Sequence, residues 1–157
     1  MSLPVRDETD RRIESLKALF PQQGSALLPA LHLIQEDKGY VSEESMVYVA
    51  GKLGLSPAFV AGVVSFYTMF HTRPVGRHHL QICRTLPCAL RGCVSLLRHA
   101  ERRLGIRDGQ TTADGRFSLT TVECLGNCDK APALQINDKD YGPLDERAFD
   151  ALVETLK

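Results

Sequence analysis

Four of the five cysteines fall into two short pairs that can supply thiolates to a metal centre. Four residues separate Cys83 from Cys88, and three separate Cys124 from Cys128. Each pair can therefore come from a single loop, and two such loops at one end of a sheet make a site of four thiolates. Iron–sulfur clusters need four thiolates at about this reach, with nearby backbone N–H groups that donate to the sulfurs.

The spacing by itself leaves the chemistry of the site open. The C-x4-C and C-x3-C spacings differ from the plant-type ferredoxin pattern, and structural zinc sites favour C-x2-C over C-x4-C. A [2Fe–2S] cluster, a zinc ion and thiol chemistry are all compatible with it. The fifth cysteine, Cys93, falls on a helical stripe with Leu90 and Val94, so we expect it in the core rather than as a fifth ligand.

The residues around the pairs suit a metal site at the ends of strands. Gly126 lets the backbone approach a cluster closely, and Pro87 and Pro132 stiffen the two turns. Cys88 lies at the start of a predicted helix, where the helix dipole favours a thiolate.

The elements that must position the pairs are strands and helices in the second half of the chain. Alternating apolar residues and β-branched runs predict strands, and apolar stripes with helical spacing predict two helices. The strands are predicted at 79–83, 117–124, 133–137 and 141–144, and the helices at 89–104 and 148–156. This β-α-β-β-α order indicates an α/β sandwich of the thioredoxin-like kind.

The first half of the chain is predicted to be a small helical bundle. Apolar stripes at 16–20 and 27–34 indicate two helices, the second ending at Gly39. Ser42 is predicted to cap a third helix that loosens at Gly51 and Gly54, and Ser56 with Pro57 to start a fourth. The pattern breaks at 72–77, so we predict an N-terminal bundle at 1–75 and a second domain at 76–157.

Composition and charge exclude several functional classes. The 157 residues contain 19 basic and 19 acidic side chains, so no general attraction to nucleic acid or anionic lipid is expected. Residues 1–12 are charged and lack the apolar core of a secretory signal. The longest apolar stretches fall short of the ~18 residues that a membrane span needs. We therefore expect a cytoplasmic protein whose five cysteines serve metal or redox chemistry before disulfides.

The two cysteine runs resemble those of a known family. Residues 82–88 read Ile-Cys-Arg-Thr-Leu-Pro-Cys, and residues 122–132 read Val-Glu-Cys-Leu-Gly-Asn-Cys-Asp-Lys-Ala-Pro. Both are similar to runs in the 24 kDa (E) subunit of respiratory complex I. Further matching segments lie at 38–41, 62–67, 104–106, 112–117 and 135–138, so the resemblance covers about residues 25–157.

The resemblance implies a fold, a cofactor and a partner. The fold would be a thioredoxin-like ferredoxin domain behind a helical bundle, and the cofactor a [2Fe–2S] cluster held by Cys83, Cys88, Cys124 and Cys128. The partner would be a larger subunit that binds FMN and NADH, so neither FMN nor NAD is expected in this chain. The protein would be an electron-transfer subunit of an NADH-oxidising oxidoreductase, without NADH turnover of its own. It would be cytoplasmic, or held at the cytoplasmic face of the membrane by its complex.

Several alternatives stay open at this point. Similar subunits occur in NAD-linked formate dehydrogenases and in bidirectional or electron-bifurcating hydrogenases, so the resemblance does not identify the host complex. A zinc-stabilised interaction module would explain the cysteines without redox chemistry. A thiol–disulfide oxidoreductase would fit the element order, but the chain lacks the C-x-x-C motif that such chemistry normally uses.

Overall fold

Among the described residues, strands occur only in the second half of the chain, where helices alternate with them. The structure, a computed structural model, describes residues 5–156. The chain divides into two units, Met1–Pro74 and Val75–Lys157. The described part of the first unit is helical, and the second contains the sheet. Residues 1–4 and 157 lie outside the described residues. The ends of the two predicted domains, and the first residues of the segment 1–12 that was judged not to be a secretory signal, fall on them. Within residues 5–156 no helix is long and apolar enough to cross a membrane.

Within residues 5–74 the first unit contains four α-helices and a 3-10 turn at Gln23–Ala26, and serine side chains start two of the α-helices as predicted. The helices are α1 (Asp7–Leu19), α2 (Leu27–Lys38), α3 (Glu43–Leu53) and α4 (Pro57–Phe66). Ser42 Oγ accepts the Ser45 N–H at 3.2 Å at the start of α3, and Ser56 Oγ accepts the Phe59 N–H at 3.1 Å at the start of α4. Such caps satisfy backbone donors that a helix leaves open.

Two details of the first unit differ from the prediction. Helix α1 begins nine residues before the predicted stripe at 16–20, because its first turns are charged and bury little besides Ile13. An ion pair between Lys52 Nζ and Asp10, 2.6 Å apart, ties these early turns to α3. Gly51 does not loosen α3, which continues to Leu53 before Gly54 ends it in a left-handed conformation.

The second unit is built on a five-stranded mixed sheet. Its strands are β1 (His78–Cys83), β2 (Gln110–Thr111), β3 (Phe117–Val122), β4 (Leu134–Ile136) and β5 (Lys139–Tyr141), in the order β2-β3-β1-β4-β5. β1 and β3 run parallel, and the other pairs are antiparallel. Its core contains fully buried side chains from the central strands and the last helix: Leu80, Ile82, Leu119, Leu134 and Phe149.

The helix predicted at 89–104 is interrupted. Helix α5 spans Leu86–Leu90 and α6 spans Cys93–Leu104, with Gly92 between them at φ +96°. This left-handed conformation cannot continue a helix and favours glycine. The predicted stripe was therefore wrong at its start, since Leu90 is 79% and Val94 52% exposed.

Four of the five strands were predicted, with errors at their ends: β3 and β4 are shorter than predicted, β1 starts one residue earlier, and β5 shares only Tyr141 with the strand predicted at 141–144. The second predicted strand stops at Val122, so Cys124 lies in the loop beyond it. The hairpin turn is shorter than predicted, since β5 already begins at Lys139. β2 was missed because it has only two residues, both exposed. The last helix, α7 (Glu146–Thr155), begins after the Asp145 cap.

Gly76 provides a test of how closely the chain approaches β3. A Cβ at this position would lie 2.7 Å from the Phe117 carbonyl carbon and 2.9 Å from the Ser118 nitrogen. We expect Gly76→Ala to destabilise the protein by about 1–3 kcal/mol, since the backbone must shift. Urea unfolding measures this change.

The control for Gly76 is a glycine with open space around it. Gly51 lies inside α3, and a Cβ there meets nothing within 4 Å. Gly51→Ala is expected to stabilise the chain by up to about 1 kcal/mol, because alanine has the higher helix propensity. A Gly76→Ala chain as stable as the wild type would contradict the close approach.

Candidate metal centre

The parallel pairing of β1 and β3 brings the two cysteine segments to one end of the sheet. Cys83, the last residue of β1, lies opposite Val122, the last residue of β3. The Arg84 N–H donates to the Val122 carbonyl at 3.0 Å, so the pairing continues past the strand ends. The Cys83 sulfur lies 3.6 Å from the Glu123 carbonyl oxygen, immediately before Cys124.

Cys83 and Cys88 form a buried pair. Cys83 is 2% exposed and Cys88 1% exposed, and each sulfur lies within hydrogen-bonding reach of the other. Helix α5 carries Cys88 back over the end of β1 within five residues, and Pro87 lies in its first turn. The segment after the second pair closes over the first, because the Ala133 carbonyl accepts the Cys83 N–H at 3.1 Å.

The surroundings of Cys83 favour its thiolate. Burial raises the pKa of Cys83, but hydrogen bonds to its sulfur outweigh that effect and hold the pKa below its usual value. These bonds come from the Thr85 hydroxyl, the Thr85 and Leu125 N–H groups and the Cys88 thiol. The Thr85 Oγ1 lies 3.2 Å from the sulfur. Donors of this kind stabilise a ligating thiolate.

Cys88 is held as the thiol partner of Cys83. Burial raises the pKa of Cys88, and the neighbouring Cys83 sulfur raises it further, against the opposing effect of an Ala133 N–H. The two pKa values are thus moved in opposite directions, as expected when one thiol donates its proton to a neighbouring thiolate.

The second pair lies on an exposed loop. Both Cys124 and Cys128 are exposed. Gly126, at φ +69°, turns the loop so that its N–H donates to the Cys124 sulfur at 3.3 Å. Cys128 opens a 3-10 turn, Cys128–Lys130, with Asn127 at the residue before it.

The four predicted residues thus occur as one buried and one exposed pair at the same end of the sheet. Within residues 5–156 no three His, Cys, Asp or Glu side chains are grouped closely enough to hold one metal ion. The donors nevertheless suit an iron–sulfur site: thiols occur in pairs, and backbone N–H groups from Thr85, Leu125, Gly126 and Ala133 are directed at three of the four sulfurs. These residues fit a [2Fe–2S] cluster, each iron of which takes two protein ligands.

Sequence reasoning missed the residues that surround the sulfurs. Thr85, Leu125 and Ala133 donate to the buried pair. The types of Leu125 and Ala133 carry no signal of that role, since both act through the backbone. Thr85 offers a weak signal, because a hydroxyl two residues after a cysteine can reach back to the sulfur.

Cys93 lies in the core as predicted, although the supporting reason was wrong. It is 2% exposed, and burial raises the pKa of its thiol. The sequence suggested a helix running through Leu90, whereas α6 begins at Cys93 itself. Its side chain joins the apolar cluster that contains Leu96 and Ala100.

Comparison with known proteins gives a family match over nearly the whole chain. The family described as thioredoxin-like [2Fe–2S] ferredoxin matches residues 13–157. Among curated relatives, the E 2 subunit of NADH-quinone oxidoreductase from Rhizobium meliloti is 45% identical over 145 residues, covering 92% of this chain and 86% of the relative. NADH-quinone oxidoreductase subunit 2 of Thermus thermophilus is 38% identical over 154 residues, covering 96% of this chain and 85% of the relative.

A solved structure shares the fold. The NAD⁺-reducing [NiFe]-hydrogenase in its air-oxidised state superposes with a TM-score of 0.72 at 30% sequence identity, over 83% of this chain. The chain corresponds to 22% of that hydrogenase chain, or about a fifth of its length. These comparisons confirm the predicted fold class, the [2Fe–2S] cofactor and the placement among subunits of oxidoreductase complexes.

Thr85 tests the hydrogen bonding around the buried pair. Thr85→Val keeps the shape of the side chain but removes its hydroxyl, so the pKa of Cys83 should rise. Since less thiolate is then present at any pH below that pKa, alkylation of Cys83 in the metal-free chain should slow severalfold near neutral pH. The difference should vanish at high pH, where both chains are fully ionised.

Peptide mapping of iodoacetamide-treated protein measures this change and contains its own control. Cys93 is as buried as Cys83, so its alkylation reports how often the core opens. The ratio of Cys83 to Cys93 labelling should fall in the variant. An unchanged ratio would show that the hydroxyl does not stabilise the thiolate.

Proposed function

Because the chain belongs to the thioredoxin-like [2Fe–2S] ferredoxin family, we propose that Cys83, Cys88, Cys124 and Cys128 ligate one [2Fe–2S] cluster. We further propose that the protein is the electron-transfer subunit of an NADH:quinone oxidoreductase. The observation that carries the ligand set is the juxtaposition of the two cysteine segments at the ends of β1 and β3. The 3.6 Å approach of the Cys83 sulfur to the Glu123 carbonyl places that sulfur beside the second loop.

The chain's own residues would ligate the cluster, exclude water from part of it and donate hydrogen bonds to its sulfur ligands. When bound, a [2Fe–2S] cluster accepts and returns one electron at a time. The burial of Cys83 and Cys88 keeps water from their sulfurs, and N–H groups compensate the negative charge that burial would otherwise penalise. The exposed Cys124 and Cys128 leave the other side near the surface, where a redox partner can approach.

The proposed partner is the larger FMN- and NADH-binding subunit of the same complex. Electron transfer requires a docked partner, and three large apolar side chains near Cys88 are uncovered: Leu86 is 70%, Leu90 79% and Val94 52% exposed. Leu86 and Leu90 are four residues apart on α5 and so lie on one face of it. Exposed apolar side chains grouped on one face mark interaction surfaces. In this proposal residues 76–157 carry the cluster, residues 1–75 form the accompanying bundle, and the complex works at the cytoplasmic face of the membrane.

A second host complex is supported by the hydrogenase likeness. The NAD⁺-reducing [NiFe]-hydrogenase shares the fold at 30% identity, which fits an equivalent subunit of a hydrogenase or of an NAD-linked formate dehydrogenase. The complex I relatives are more similar, at 38–45% identity over most of their own length. Co-purification from the native cell, with identification of the large subunits that accompany the chain, distinguishes the hosts.

Cluster content tests the proposed cofactor and ligands together. Anaerobically purified chain should be red-brown, contain about two irons and give a rhombic EPR signal only after reduction with dithionite. Serine in place of each proposed ligand, in turn, should abolish or alter that signal, because an alcohol is a harder and less readily ionised ligand than a thiol.

The matched control is the remaining cysteine. Cys93→Ser exchanges the same atoms in the same core but should keep about two irons and the wild-type signal, at some cost in stability from the buried hydroxyl. One zinc per chain, with no colour and no EPR signal, would mean a structural zinc site and would overturn the electron-transfer proposal.

The isolated chain should not oxidise NADH. Hydride transfer needs a flavin, which the proposal places in the partner, so a loaded chain mixed with NADH and ferricyanide should show no turnover above the buffer rate. The same chain should exchange electrons with dithionite, which shows that its cluster is competent. Sustained NADH oxidation by the purified polypeptide would contradict the division of roles.

A further inference from the structure

Asn127 carries a buried hydrogen-bond donor that nothing in the surrounding protein satisfies. Its Nδ2 is buried and has no hydrogen-bond partner among residues 5–156. A buried donor that is left unpaired loses its hydrogen bond to water without a replacement, so proteins rarely tolerate one. The residue lies between Cys124 and Cys128, next to the latter, in the loop proposed to hold the cluster.

The Asn127 side chain is also not committed to capping, a role in which its Oδ1 would accept backbone N–H groups. Asn127 precedes the 3-10 turn Cys128–Lys130, where an asparagine side chain would ordinarily cap the free N–H groups. Its side chain makes no such bond. Among the described residues with a short oxygen-bearing side chain at a capping position, Ser42, Ser56 and Asp145 do bond to their helices.

Thr85, in the segment of Cys83 and Cys88, is a second residue at a capping position whose side chain contacts a sulfur instead of its helix. Thr85 occupies the capping position of α5 and likewise makes no side-chain bond to its helix. Its hydroxyl instead lies 3.2 Å from the Cys83 sulfur. Each cysteine pair is therefore accompanied by a polar capping residue whose side chain does not cap, and for Thr85 the sulfur is the contact.

We propose that the Asn127 side-chain amide donates a hydrogen bond to a sulfur of the bound [2Fe–2S] cluster and thereby raises its reduction potential. This inference rests on the proposed function. The sulfurs become more negative on reduction, so a fixed donor stabilises the reduced form more than the oxidised one. The incoming sulfur is also the acceptor that the buried Nδ2 lacks.

Two substitutions separate the donor from the shape of the side chain. Asn127→Leu has a similar volume and no donor, whereas Asn127→Ser keeps a hydroxyl that can donate. In anaerobic redox titrations followed by EPR, the Leu variant should lower the equilibrium constant for one-electron reduction by about tenfold, which corresponds to 59 mV. The Ser variant should recover part of that change.

The control removes an amide elsewhere in the same unit. Gln110 lies exposed on the edge strand β2, which β3 separates from β1. Gln110→Leu should leave the potential unchanged. If Asn127→Leu retains its iron and titrates like the wild type, the inference is wrong while the proposed cluster and ligands stand. A wild-type chain without iron would instead overturn the proposed function.

A second measurement needs no variant and covers the case in which Asn127→Leu fails to fold or load. The chain contains two asparagines, Asn127 and Asn137. Asn137 already has partners, since its Nδ2 donates to the Arg77 carbonyl at 3.1 Å and its Oδ1 accepts the His79 N–H at 2.9 Å. Wild-type protein labelled with ¹⁵N only at the asparagine side-chain amide should show a ¹⁵N hyperfine coupling to the reduced cluster in pulsed EPR. The absence of a coupling would overturn the hydrogen bond.

Discussion

The parallel pairing of β1 with β3 is the constraint on which the rest of the site depends. Parallel neighbours end at the same edge of a sheet, so the loops that follow them must meet there. The register sets Cys83 opposite Val122 and sends the next residues of both strands into one small region. A shift by one residue would move Cys83 to the opposite face of the sheet, away from its donors and from the apolar cluster that covers it.

The neighbouring helices and strands bring the second cysteine of the buried pair and its hydrogen-bond donors to the ends of β1 and β3. The short helix α5 reverses the chain so that Cys88 returns beside Cys83, and Gly92 allows α6 to leave in a new direction. β4 pairs with β1 on its other side, and the segment leading into β4 places the Ala133 N–H at the Cys88 sulfur. The backbone that leads into β4 thus also supplies a hydrogen-bond donor to the buried thiol pair.

Unequal burial gives the two cysteine pairs different environments. Thiolates away from water are costly unless donors surround them, and Cys83 meets this requirement through Thr85 and Leu125. Cys124 and Cys128 lie at the surface, where either solvent or a docked partner can contact them. A redox centre built in this way has one side fixed by the fold and one side open to electron exchange, which suits a subunit that works within a larger assembly.

The cysteine pairs, the family and most of the helices and strands could be predicted from the amino-acid sequence alone. Local signals were sufficient there, because Ser42 and Ser56 with Pro57 mark helix starts. Alternating residues likewise mark β1, and a run rich in Thr and Val marks β3. Tertiary structure decided where α5 gives way to α6, since a glycine's left-handed conformation is not visible in an apolar pattern. It also decided which sulfurs are buried and which backbone N–H groups reach them. Those contacts join residues as far apart as Cys88 and Ala133, and no local spacing rule encodes such a distance along the chain.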